Sequence, residues 1–189
     1  GIVTVSTGGT VFAYAPQYAT LTTVTRAGST WSTTKATLSG MSVGDDLSIT
    51  AVGDKPVIYD ATTNTLVLPG GRTRALDADG VAPGAVLQMP GPASSSVLLA
   101  TPDSLVSVPL NGSAPTVTPA QEGTSISGTP APPAFHQGCA YGAWSSSGAA
   151  LRQCESGLTR YTSVERLAAS KHPLFRVNRT RIVLNDIED

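Results

Sequence analysis

Apolar and polar residues alternate with a period of two over short runs rich in Val, Ile, Thr, Leu and Tyr. GTVFAY, PVIYD, TLVLP, SVLLA and SLVSVP are of this kind, and Gly, Pro, Asn or Asp clusters bound them. Such runs predict strands joined by tight turns. A helical signal occurs once, in TSVERLAASKHP, where Thr162 and Glu165 are spaced as a capping box and His172-Pro173 supplies a stop. The expected helix of about two turns would be a short connector, because isolated helices of that length are marginal.

The strand runs also recur. VFAYAPQYATLTTV, Val11 to Val24, lies over PVIYDATTNTLVLP, Pro56 to Pro69, at an offset of 45 residues, so that Tyr14 meets Tyr59, Thr20 meets Thr65 and Leu21 meets Leu66. SVLLATPDSLVSVPL, CAYGAWSSSGAALRQC and LFRVNRTRIVLND repeat the scheme of strand, polar turn and strand, the last with a turn at Asn178-Arg179. An isolated two-stranded ribbon is marginal in water, so each hairpin needs partners, and LSITAV (Leu47 to Val52) and AVLQM (Ala85 to Met89) can supply them. A recurring unit of about 40 residues with three or four short strands predicts an all-β, β-propeller-like array of about four to five antiparallel blades, or part of a larger propeller. A β-sandwich is the alternative, since it too is built from short strands and frequent turns. One domain over residues 1–189 is expected, with a Pro/Ser/Thr-rich loop at 111–134 in which TVT and TSIS are candidate edge strands.

Composition narrows the setting. The 189 residues are enough for a hydrophobic core without staples. With 13% charged residues and a net charge of −1, the chain lacks the basic face that nucleic acid demands. The basic residues from Arg152 to Arg181 read as solvated side chains. No run of 18 apolar residues occurs, so no membrane span is expected in this segment. The start at Gly1, directly into strand-like sequence, reads as a mature or excised piece of a longer protein. Asn111-Gly-Ser and Asn178-Arg-Thr match the glycosylation acceptor pattern.

The two cysteines flank a small turn in GCAYGAWSSSGAALRQCESG. Folding that stretch about SSSG sets Trp144 opposite Ala149, Tyr141 opposite Arg152 and Cys139 opposite Cys154. The cysteines then share one face, close enough for a disulfide, and a free-thiol pair is the alternative. Such a bond persists outside the reducing cytoplasm, which points to a secreted or cell-surface protein.

Catalytic chemistry finds little to stand on. His136 and His172 have no Gly-x-Ser-x-Gly elbow and read as surface or turn residues. The acids Asp45, Asp46, Asp54, Asp60, Asp77, Asp79, Asp103 and Asp186 fall in turns, where the side chain hydrogen-bonds local backbone. DADG at Asp77 begins like a calcium loop but has Gln88 where an EF-hand needs its Glu, so no metal site is assigned. Zinc needs more Cys or His at ligand spacing than Cys139 and Cys154 provide, and no phosphate loop occurs, so no cofactor is expected. Trp31 and Trp144 are the candidate ligand contacts, as stacking platforms, with burial between blades as the competing reading for Trp144.

DATTNTLVLPGG, following VGDKPVIY, resembles the strand and turn of quinoprotein-type propeller repeats, and GTVFAY has the same character although Ala15 and Pro16 replace the counterpart of Asp60. LFRVNRTRIVLNDIED, with GCAYGAW, resembles the propeller-like region of large actinobacterial surface proteins that carry immunoglobulin-like or fibronectin type III domains. The resemblance implies an extracellular segment without a catalytic role, and no residues match a quinone site. The expected function is therefore a non-catalytic extracellular scaffold or binding module, with protein or carbohydrate partners at the cell surface. The alternatives are a carbohydrate-active hydrolase using two rim acids, and a glycan-binding domain on the same scaffold.

Overall fold

A computed structural model describes residues 1–123, 128–170, 173–177 and 181–186. The chain forms consecutive antiparallel sheets. The first contains β1 (Ile2–Val5), β2 (Val11–Ala15), β3 (Thr20–Ala27) and β4 (Thr30–Thr37), and the second contains β5 (Leu47–Val52), β6 (Lys55–Asp60), β7 (Thr65–Val67) and β8 (Thr73–Ala75). The third contains β9 (Val86–Leu87), β10 (Ser96–Ala100), β11 (Ser104–Pro109) and β12 (Thr116–Pro119). In the fourth, β13 (Thr129–Pro130) and β14 (Ala134–His136) both pair with β15 (Cys139–Ser145), followed by β16 (Ala149–Cys154) and β17 (Thr159–Ser163). The one-turn helix α1 (Glu165–Ala168) leads to a hairpin of β18 (Pro173–Val177) and β19 (Ile182–Asp186). Strand order follows chain order within the first three sheets, so these are simple meanders.

The 45-residue repeat is the second and third strands of successive sheets. Tyr14 pairs with Leu21 across β2 and β3, and Tyr59 pairs with Leu66 across β6 and β7. Ala19 and Asn64, which the same offset aligns, both end their turns in the left-handed conformation, at φ 48° and 49°. The SVLLA and CAYGAWS runs are the second strands of the third and fourth sheets.

Burial explains why these middle strands are nearly continuous apolar runs. Val57 and Tyr59 of β6 face the third sheet, while Ile58 between them joins Phe12, Tyr14 and Leu21 of the first. Val97 and Leu99 of β10 likewise face the second sheet, and Leu98 and Ala100 face Trp144 and Leu151 of the fourth. The second and third sheets are thus packed by neighbours on alternating side chains, so both faces of their middle strands are covered. β18 packs on β14 and β15, with Phe175 6.4 Å from the Tyr141 ring.

Within 111–134 the TVT run is β12, an edge strand of the third sheet, and β13 opens the fourth; the TSIS segment lies outside the described residues. The helix expectation changes. The capping box does not form: Thr162 is held in β17 opposite Ala150, and Val164 is the helix N-cap without a side-chain bond. The connector is consequently one turn long. The Asn178-Arg179 turn lies outside the described residues. No helix among the described residues is long and apolar enough to cross a membrane.

Candidate functional site

The sequence candidates separate once placed on this scaffold. Cys139 and Cys154 are directly opposed in β15 and β16 and are bonded, with their Cα atoms 3.9 Å apart. Glu155 donates its backbone N–H to Gly138 O, so the neighbouring Cys139–Cys154 pair is the close-set, non-hydrogen-bonded kind. Trp144 is not a ligand platform: it is fully buried between the third and fourth sheets, and its Nε1 donates to Thr101 O at 2.7 Å. Gly142, two residues earlier, leaves room for the indole, since a Cβ there would lie 2.6 Å from the ring. Trp31 is 58% exposed near the end of the β3–β4 hairpin, with the Arg26 guanidinium 5.7 Å from its ring centre.

His136 is a correction as well. It is buried, not a surface residue, and its Nε2 has no hydrogen-bond partner among the described residues. Strand β14 turns it inward one residue before the β14–β15 turn. His172 lies outside the described residues.

The acids are largely absorbed by turns. Asp60 accepts from the Thr62 and Thr63 backbone N–H groups and from Thr63 Oγ1, Asp54 from Ser6 Oγ, and Asp103 from Thr101 and Ser104 hydroxyls. Asp79 pairs with Arg74, and Asp77 accepts from Asn64. DADG is a short 3-10 turn ended by Gly80, and no group of three metal-ligating side chains occurs among the described residues.

Three clefts are lined by described residues. One, of about 330 Å³, lies where the first strands and first loops of successive sheets converge. Its walls are mainly apolar, with Pro90, Pro92, Pro133, Phe135, Leu174 and Phe175, and Arg176 is its one charged residue. The loop carrying Pro90 and Pro92 is pinned by backbone bonds between Gly91 and both Ala51 and Gly53, at 3.0 Å each. Phe135 also borders a second cleft, of about 160 Å³, at the seam between the third and fourth sheets. There the cross-strand row Leu98, Ser107, Thr116 faces the row Phe135, Ala140, Gln153. Gln153 Oε1 accepts from Thr118 Oγ1, and Glu155 is the cleft's one carboxylate. A third cleft, of about 420 Å³, includes Gln121, Glu122 and Tyr161.

Sequence reasoning missed Phe135, Ser107 and Gln153. The signal lay in Ser107, a small polar residue interrupting the apolar run from Leu105 to Val108, but its partner row comes from a sheet some 30 residues on.

No family model matches the chain, and no curated protein matches it. Among solved structures it is similar to the selenomethionine form of virginiamycin B lyase from Staphylococcus aureus, with a TM-score of 0.60 at 13% identity, over 98% of this chain and 62% of that one. It is also similar to a streptogramin B lyase, with a TM-score of 0.57 at 11% identity, over 99% of this chain and 68% of that one. The chain therefore spans about two thirds of the length of each. At such identities the likeness concerns the backbone alone: successive four-stranded antiparallel sheets, packed face to face, give this chain a β-propeller-type fold.

Proposed function

We propose that this chain is a non-catalytic binding module on a propeller arc, belonging to an extracellular, modular surface protein of the actinobacterial kind that carries immunoglobulin-like or fibronectin type III domains. One observation carries the reading: among the described residues, none of these three clefts brings two carboxylates together. A hydrolase working by paired acids needs two carboxyl groups flanking one bond, about 5 to 9.5 Å apart. The clefts instead combine hydroxyl, amide and apolar surface, which is the chemistry of recognition. The disulfide supports an oxidising compartment. A glycan array is the binding test, with Trp31 as a second, exposed contact candidate.

A second reading is favoured by the names of the structural neighbours, which are lyases. Incubation with virginiamycin B separates the two. A binding module leaves the antibiotic intact in a mass spectrum over many hours; protein-dependent conversion would replace the binding reading with a lyase.

A further inference from the structure

The two clefts that share Phe135 differ sharply in chemistry. On the apolar side, three prolines and the side chains of Leu174 and Phe175 form a wall with no carboxylate. On the other side, the seam between the third and fourth sheets changes character along its length. At Trp144, Leu151 and Leu105 it is closed and apolar. At the cleft, Ser107, Thr116 and Gln153 occupy the facing rows, and Ala140 is too small to fill the space between them. Ser94 and Ser96 border the same opening, on the chain segment that continues from Pro90 and Pro92.

These groups do not simply complete one another. Among the described residues the Ser107 and Thr116 hydroxyls have no hydrogen-bond partner, and Gln153 uses Oε1 on Thr118, leaving its Nε2 for another acceptor. Hydroxyls both donate and accept, an amide nitrogen donates, and the Glu155 carboxylate accepts, so a neutral polyol can satisfy all of them. An anionic head group finds no counter-ion here, since Glu155 is the groove's one charged residue and Arg176 lies in the other cleft.

We propose that the Phe135 junction binds an uncharged amphiphile, with a sugar or polyol head in the Ser107–Gln153 groove and an apolar chain passing Phe135 into the proline-walled cleft. The inference rests on the binding-module reading and names its ligand class. The apolar cleft lies at the lower end of the size usual for small-molecule sites, roughly 300 to 1,000 Å³, and suits a short alkyl chain. Each buried methylene adds favourable transfer free energy, so affinity should rise with chain length until the cleft is full.

The experiment uses calorimetry and ¹H–¹⁵N NMR on the oxidised protein, with ligands below their micelle concentrations. Octyl β-glucoside should bind at least about tenfold more tightly than methyl β-glucoside. It should also bind more tightly than octanoate. Ser107→Val, which fills the groove while keeping an apolar core, should weaken both glucosides. Phe135→Ala should reduce the octyl glucoside to the level of the methyl glucoside. NMR dispersion and the melting temperature establish that each variant is folded, and Ser107→Val decides the matter if Phe135→Ala is not. The proposal is overturned if octanoate binds as tightly as octyl glucoside, if folded Ser107→Val binds normally, or if no glucoside binds. Those outcomes leave the binding-module reading open to other ligands, whereas conversion of virginiamycin B removes that reading itself.

Discussion

At Tyr14 and Tyr59 the internal repeat becomes an experiment. Both tyrosines are about 1% exposed, and the Tyr59 hydroxyl donates to Asn64 Oδ1 at 2.9 Å. At the position aligned with Asn64 the first sheet has Ala19, and the Tyr14 hydroxyl has no partner among the described residues. Ala19 also occupies a left-handed conformation that asparagine tolerates better than alanine. Ala19→Asn is therefore expected to raise stability by about 1 kcal/mol, by supplying an acceptor and easing the backbone, as read from a urea midpoint. Asn64→Ala should cost about 2 to 3 kcal/mol, since Asn64 also donates to Asp77 and Val81 O. Burial, and secondarily the Asp45 charge, raises the Tyr14 phenol above its usual range; burial chiefly raises Tyr59. A phenol raised on folding holds its proton longer in the native state. Its stabilisation is whole below the unfolded-state value near 10 and is lost as pH rises through the folded value. Stability should fall above about pH 10, and less steeply in Tyr59→Phe; an unchanged slope in that variant would contradict the account.

At the scale of elements, the β15–β16 hairpin was the most legible part of the sequence. Its register, from Trp144 opposite Ala149 to Cys139 opposite Cys154, followed from centring the turn on SSSG, because a hairpin's pairing is set locally by its turn. Removing the bond with Cys139→Ala and Cys154→Ala together should cost about 3 kcal/mol in the chain-entropy model. Intact mass without reductant should show the oxidised form, and two alkylatable thiols would contradict it. The outermost strands were the least legible. β4 is exposed at every position and β17 nearly so, so neither has an inward face to impose an alternating pattern. Their ladders to β3 and β16 are nonetheless continuous, because backbone pairing needs no apolar side chain. Thr162 shows the consequence: a helix-cap signal lost to a strand whose pattern was invisible.

Over the whole molecule, one sheet face stands apart. Alternation along β1 to β3 places Phe12, Tyr14 and Leu21 against the second sheet, and puts the row Val5, Val11, Val24 on the opposite side. There Val3 is 65% and Val5 51% exposed, so this face has no sheet packed on it among the described residues. Val5→Asp is expected to change stability by less than about 0.5 kcal/mol, as surface substitutions do. Val106→Asp, at a site with no exposure in the core between the second and third sheets, should prevent folding by leaving an unpaired buried charge. Denaturant midpoints check both, and a large cost at Val5 would mean that this face is covered.

The amino-acid sequence by itself determined the all-β class, the repeating unit, the middle strands of each sheet and the disulfide. These are consequences of local periodicity and of turns whose two flanks lie close in the chain. Only the tertiary structure decided that Trp144 is interior, that His136 is buried, and that Phe135 separates an apolar cleft from a hydroxyl-lined one. Those facts depend on which row of one sheet meets which row of the next. Ser107 and Gln153 approach across a sheet-to-sheet seam, and no pattern within either strand records what it will face.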